Sequence, residues 1–175
     1  TDLKIEIINQ LIVAGVPRIQ ALSFVHPKWV PQMADAEILA EEFANDERAI
    51  ISALVLNEKG LERAVAARVS NVDISIATNE THSRDNANMT VNEGVEMARK
   101  LVRDAVAVGI STQLGLQTVF GYADAGDTDV DFVVRLVNEF CGMGIESISL
   151  ADSTGLASPK AIRNVLAKLK AIETP

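Results

Sequence analysis

Five short polar stretches, each following an apolar run, hold most of the side chains that could do chemistry in this 175-residue chain. The first is Ser23-Phe24-Val25-His26-Pro27-Lys28-Trp29-Val30-Pro31-Gln32-Met33, with the only tryptophan and two prolines. Such a stiff connection at a strand end suits the wall of a ligand site. Asn57 follows the second run, and Asn79-Glu80-Thr81-His82-Ser83-Arg84-Asp85-Asn86 the third. Gln117 and Gly121-Tyr122 close the fourth, and Asp152-Ser153-Thr154-Gly155 the fifth. Each has a plainer reading as well. Asp, Ser and Gly dominate turns for backbone reasons, so the last cluster fits turn chemistry equally well. His26 and His82 stand on polar loops, where an isolated imidazole is more often solvated than catalytic. Arg84-Asp85-Asn86 reads as a solvated loop with a local ion pair worth little. Cys141, beside Phe140, reads as small core filler. A nucleophilic triad is not supported, because there is no G-x-S-x-G elbow and neither histidine has a recognisable partner context. No H-x-H, H-x-x-x-H or C-x-x-C pair exists, so the usual two-ligand anchor of a metal site is missing.

The elements that must position these groups repeat. A helix end, a turn residue, an aliphatic residue and a β-like run recur at Ala14-Gly15-Val16, Ala67-Arg68-Val69, Val108-Gly109-Ile110 and Met143-Gly144-Ile145. Three of the four place Gly where a helix C-terminus wants a positive φ. Strands are expected near 17–24, 49–56, 71–78, 111–120 and 146–151. Helices are expected near 2–14, 35–44, 58–68, 90–108, 128–142 and 159–172. Thr90 with Glu93 marks a capping box, and Ser158-Pro159 a cap followed by Pro at the first helical position. Helix alternating with strand implies an α/β fold with a parallel sheet. An open doubly wound sheet and part of a (β/α)8 barrel both fit. The former usually carries a Gly-rich phosphate loop, absent here, and a whole barrel needs about 250 residues.

Composition narrows the function classes. Lys+Arg number 16 against 24 Asp+Glu, a net charge of −8, with 48% hydrophobic residues. No linker or composition break divides the chain, so residues 1–175 are expected to form one domain. The absence of a basic run argues against nucleic acid and against an anionic membrane surface as partners. No apolar run reaches the roughly 20 residues of a spanning helix. A single cysteine cannot form an internal disulfide, which fits a cytoplasmic location. The chain opens at Thr1, without Met, directly in an apolar-periodic segment, so a partial chain is expected.

The stretch from Ser23 to Asp35 resembles the SFVSPKWVPQMxD signature of the 3-hydroxy-3-methylglutaryl-CoA lyase family, a long match containing rare residues. Asn57-Glu58-Lys59-Gly60-Leu61-Glu62 resembles that family's N-x-K-G-x-E after its third strand. Ile148-Ser149-Leu150-Ala151-Asp152-Ser153-Thr154-Gly155, with Pro159, resembles its ISLGDTxG…P after the sixth. The three lie in one register along essentially the whole chain. The resemblance implies the metal-dependent lyase and synthase superfamily, and residues 1–175 as one incomplete TIM-barrel domain of the pyruvate carboxyltransferase type. That domain would comprise about strands two to six with their helices, starting in helix one.

The resemblance also implies a chemistry. The family uses Mg²⁺ or Mn²⁺ to cleave hydroxymethylglutaryl-CoA to acetyl-CoA and acetoacetate. Its metal ligands are an Asp after strand one, an H-x-H on strand seven and an Asn after strand eight, and its catalytic Cys loop follows strand seven. None matches a residue here, and Cys141 does not match that Cys, so no catalytic or metal-ligating residue is assigned. The implied substrate-binding residues are Gln20, Ser23, Asn57, Asp152 and Ser153, with His26, Lys28, His82, Asn86 and Gln117 as further candidates. Gln20 stands where the lyase has Glu in its E-x-x-S-F strand. It keeps shape and hydrogen bonding but cannot act as a base. The Thr81–Asn86 stretch, with its His82, looks more like the superfamily's condensing synthases. An acyl-CoA thioester substrate and a homo-oligomeric parent are implied. The alternatives are a segment of a Claisen-type synthase, of the isopropylmalate or citramalate synthase kind, and a non-catalytic truncated product. Five of eight strands would leave two sheet edges with unpaired N–H and C=O groups. The 175-residue chain by itself is therefore expected to self-associate or aggregate; a monodisperse, cooperatively melting monomer in size-exclusion and thermal-unfolding experiments would contradict this.

Overall fold

A computed structural model describes residues 1–122 and 128–170. In chain order the elements are α1 (Asp2–Val13), β1 (Arg18–Ser23), a single 3₁₀ turn (Pro31–Met33), α2 (Ala36–Glu42), β2 (Ile50–Val55), α3 (Glu58–Ala66), β3 (Asn71–Ala77), α4 (Glu80–Ala87), α5 (Val91–Ala107), β4 (Ser111–Gln117), α6 (Val130–Cys141), β5 (Ser147–Leu150) and α7 (Pro159–Leu169). The five strands form one parallel sheet in the order of the sequence, β1-β2-β3-β4-β5. That order decides between the two architectures. A doubly wound sheet reverses its strand order at a switch point. A monotonic parallel order with right-handed crossovers instead puts every helix on one face, which is the wall of a (β/α)8 barrel. Among the described residues, β1 and β5 each pair on one side only.

Helix and strand boundaries follow local chemistry. The Thr90–Glu93 capping box is formed in both directions and opens α5, while Ser158 caps α7 with Pro159 at its first position. Strands end slightly earlier than expected. β4 stops at Gln117 because Thr118 turns to φ 58° and leaves the extended region. The stretch Asn79–Asn86, expected as a loop, contains a helix instead. Asn79 caps it by accepting the His82 backbone N–H at 3.1 Å, and Asn88 closes it in the left-handed region at φ 53°. Only Ser83 of α4 is buried, so no apolar period could have announced it. The expected local pair of Arg84 with Asp85 is also replaced: Arg84 reaches back one turn to Glu80 at 2.9 Å. The expected start of the 128–142 helix moves to Val130, and the part of the 159–172 helix beyond residue 170 lies outside the described residues.

The core lies between the sheet and its helices. On β3 and β4 the residues Val72, Ile74, Ile76, Leu114 and Leu116 join Val95, Ala98, Leu101, Val102 and Ala105 of α5 in one buried cluster. Small residues at 98 and 105 let the helix lie close to the strands. The other face of the sheet is polar. Asp73, only 4% exposed, accepts from Arg18 Nη2 at 3.1 Å, from Gln20 Nε2 at 2.9 Å and from Ser52 Oγ. Arg18 Nη1 also donates to Glu146 at 3.3 Å, and Ser111 Oγ donates to the same carboxylate oxygen at 2.5 Å. The Ser111 hydroxyl, helped by the Arg18 charge, holds the Glu146 carboxyl below its ordinary range. One network thus joins all five strands or the residue leading into them.

Two outcomes follow. Gly15, Gly109 and Gly144 take φ near +80° at the helix-to-strand turns, and Arg68 occupies the fourth such turn at φ 57°. A non-Gly residue there costs about 1–2 kcal/mol, partly offset by the greater unfolded-state freedom of Gly. In the whole protein Arg68→Gly should therefore raise stability by about 0.5–1 kcal/mol, or about 2 °C in Tm; a fall in Tm would show that the Arg68 side chain outweighs its backbone. Asp73→Ala leaves Arg18 facing a vacated site and should cost about 3 kcal/mol in urea unfolding. Asp73→Asn, which keeps one acceptor, should cost less, and an unchanged midpoint for Asp73→Ala would remove the network from any role in stability.

Candidate functional site

In a parallel barrel the working groups gather just past the C-terminal ends of the strands, where the connecting loops converge. Here a cavity of about 770 Å³ opens at that end. Its rim carries His26 and Trp29 from the loop after β1, Asn57 after β2, Asn86 of α4 and Gln117 at the end of β4. Ser75 and Ala77 of β3 also line it, together with apolar side chains such as Met97 and Leu101. Four of the ten candidate residues (His26, Asn57, Asn86 and Gln117) thus share one cavity, with His82 beside them through Gln117.

Three of the five rim side chains, His26, Asn57 and Gln117, are held by hydrogen bonds. Asn57 caps α3, its Oδ1 accepting the Gly60 N–H at 2.9 Å. Gly60 has no room for a side chain, since a Cβ would lie 3.0 Å from the Phe24 carbonyl oxygen. His26 Nδ1 accepts the Lys28 backbone N–H at 3.1 Å, which leaves Nε2 outward. The Lys28 ammonium lies 5.7 Å from the centre of the Trp29 ring, and Trp29 is 78% exposed. His82 Nε2 is 2.9 Å from Gln117 Oε1. The Tyr122 ring packs edge-on against the imidazole with centroids 4.9 Å apart, and its hydroxyl lies 3.5 Å from Asp85.

The remaining candidates serve differently. Ser23 is buried at the end of β1. Asp152 accepts from the backbone N–H groups of Leu156 and Ala157 at 3.0 and 3.1 Å, closing its own loop. Ser153 Oγ accepts from the Thr118 N–H at 3.0 Å and braces the left-handed turn at the end of β4. The turn-chemistry reading of Asp152 and Ser153 therefore describes what their side chains do here. Gln20 lies below the rim, its amide donating to Asp73. A Glu in its place would set a second carboxylate against a buried one, so Gln is the residue this network can hold. Asp73 itself was not singled out from the sequence. Its signal was the period-two alternation of Asn71, Asp73 and Ser75 with Val72, Ile74 and Ile76. Cys141 ends α6 half-buried against the core, and burial pushes its thiol above the usual range.

What the arrangement offers is hydrogen-bond donors and acceptors around an apolar recess. Among the described residues no group of three or more His, Cys, Asp or Glu side chains could hold a metal ion. Likewise none of the described helices is long and apolar enough to cross a membrane.

Comparison with known proteins places this half-site. The chain is 34% identical over 171 residues to hydroxymethylglutaryl-CoA lyase YngG of Bacillus subtilis, which covers 98% of this chain and 57% of that protein. It is 34% identical over 169 residues to the mitochondrial hydroxymethylglutaryl-CoA lyase of Bos taurus, covering 95% of this chain and 51% of that one. The crystal structure of the Bacillus subtilis HMG-CoA lyase superposes with a TM-score of 0.90 at 34% identity, over 97% of this chain and 57% of that structure. An HMG-CoA lyase of Acinetobacter baumannii, solved with coenzyme A and 3-methylmalate, superposes at 0.88 and 31% identity over 98% and 56%. The chain spans about half the length of these relatives. A family model described as HMGL-like matches residues 1–174, and the chain belongs to that family.

Proposed function

We propose that the whole protein carrying this chain is a divalent-metal-dependent carbon–carbon lyase that cleaves 3-hydroxy-3-methylglutaryl-CoA, or a related 3-hydroxyacyl-CoA, to acetyl-CoA and a 3-oxo acid. The observation that carries this is the chain-long likeness, in sequence and in fold, to hydroxymethylglutaryl-CoA lyases. The coenzyme A in the Acinetobacter baumannii structure supports an acyl-CoA substrate. Mg²⁺ or Mn²⁺ is the cation we propose for the whole protein. The described residues do not fit one, so no step through a cation is assigned to this chain.

The share of this chain is to bind and orient. Cleavage removes the proton of the C3 hydroxyl, forms the carbonyl of the 3-oxo acid as the C2–C3 bond breaks, and leaves a thioester enolate that takes up a proton at C2. Holding a flexible substrate in a reactive geometry lowers that barrier by removing rotational freedom before the chemistry starts. Ser23, Asn57 and the rim of the cavity provide the polar contacts, and the apolar recess excludes water around them. Asp152 and Ser153 position the loops at the ends of β4 and β5. Gln20 neither gains nor loses a proton in the working pH range, so it contributes shape and one donor to Asp73.

The test is acetyl-CoA release from 3-hydroxy-3-methylglutaryl-CoA by the purified whole protein with Mg²⁺ or Mn²⁺. Turnover above blank is expected, and none from residues 1–175 alone. Free CoA released only when acetyl-CoA is supplied with pyruvate or 2-oxoisovalerate would overturn cleavage in favour of condensation. Metal-dependent turnover by the 175-residue chain would overturn the division of labour.

A further inference from the structure

Gln117 and His82 form a side-chain pair that joins α4 to the end of β4 at the mouth of the cavity, and its geometry leaves something over. Gln117 is the last residue of β4 and alternates with Gln113 and Gly115 on the helix-free face of the sheet, opposite Leu114 and Leu116, which face the helices. His82 sits in the first turn of α4. That turn is fixed because Asn79 accepts the His82 backbone N–H. The imidazole therefore reaches the end of β4, with Nε2 2.9 Å from Gln117 Oε1, and Tyr122 packs against its edge. An amide oxygen only accepts, so this contact holds Nε2 in its protonated form and fixes which way the Gln117 amide faces. The Gln117 Nε2 has no hydrogen-bond partner among the described residues, and Gln117 lines the cavity. The β3 positions that pair with Gly115 and Gln117 are the small residues Ser75 and Ala77, and both line the same cavity as Gln117.

We propose that Gln117 is a specificity-determining residue whose amide N–H donors, aimed into the mouth by the hydrogen bond from His82, recognise an acceptor oxygen of the acyl group. His82 is the positioning residue and touches no substrate. The inference rests on the lyase reading for the identity of the acyl group, but not for the existence of the contact.

The experiment uses the whole protein and four variants. Gln117→Glu keeps an acceptor for His82 but replaces both donors with a negative charge. Gln117→Ala removes the side chain. His82→Phe keeps a ring against Tyr122 without the Nε2–H, and the fourth variant combines His82→Phe with Gln117→Ala. Binding of 3-hydroxy-3-methylglutarate, measured by calorimetry, should weaken about 10-fold or more in Gln117→Ala, in line with one lost hydrogen bond to a charged group. It should weaken at least as much in Gln117→Glu, while binding of coenzyme A and the Tm stay unchanged. His82→Phe should weaken binding less than Gln117→Ala, and the double variant should match Gln117→Ala alone, because His82 acts through Gln117. In turnover the same changes should appear in KM more than in kcat.

A role confined to bracing the rim would let Gln117→Glu bind normally, and that result overturns the proposal. So does additivity of the two losses. Wild-type protein that binds the free acid through Gln117 but releases no acetyl-CoA would sink the lyase reading and leave this inference standing. Normal turnover with unaffected Gln117 variants would do the reverse, and wild type that neither cleaves nor binds would overturn both.

Discussion

A carboxylate placed inside a sheet must be answered by donors, and in this chain Asp73 sets that demand. It is buried on the face of β3 that the helices do not cover, and three side chains from β1 and β2 answer it. An unanswered charge there would cost several kcal/mol, so Asp73 constrains the register of the first three strands together with the apolar face behind it. Arg18 extends the constraint to Glu146, just before β5, and Ser111 closes it from β4. The lower part of the sheet is thus pinned by polar contacts, while its upper ends stay free to carry loops. Gln20 belongs to the pinned part. Its identity fits the buried charge next to it.

Above the pinned layer, structure and site use the same residues. Asn57 caps a helix at the edge of the cavity, Asp152 closes its own loop, and Ser153 holds the turn that ends β4. Such side chains cannot move freely toward a ligand. They present preformed loops, and the groups left to meet a ligand are those whose polar atoms are only half engaged. Gln117 is the clearest of these, with its oxygen taken by His82 and no partner for its nitrogen among the described residues.

The alternation of strands and helices, and most of their boundaries, was legible because period-two and period-3.6 patterns and caps are local. Thr90 with Glu93, and Ser158 before Pro159, marked helix starts that the structure reproduces. The choice between an open sheet and a barrel wall was not legible from composition. It depends on which strand lies next to which, and that is a long-range fact. α4 was missed because it is stabilised by its Asn79 cap and its packing on β3 and α5 rather than by an apolar stripe. Of the site, the loop from Ser23 to Met33 and the polar strand ends stood out through their rare residue types. The pairing of His82 with Gln117 spans 35 residues of sequence and could only be seen once β3 and β4 lay side by side. Asp73 stayed hidden for a related reason: an acidic residue within an apolar strand reads as a flaw until its three partners are brought to it.

The strand order has a consequence for how the chain assembles. Each strand from β2 to β5 pairs with the strand before it in the sequence, so each added βα unit meets an edge that the preceding unit supplies. Closure of each step involves only one unit's length of chain, which keeps the entropic cost of each addition low. Asp73 ties that growth to charge: Arg18, Gln20 and Ser52 share an acceptor only where β3 lies beside β2, so the third strand brings an interior charge and its three answering donors together.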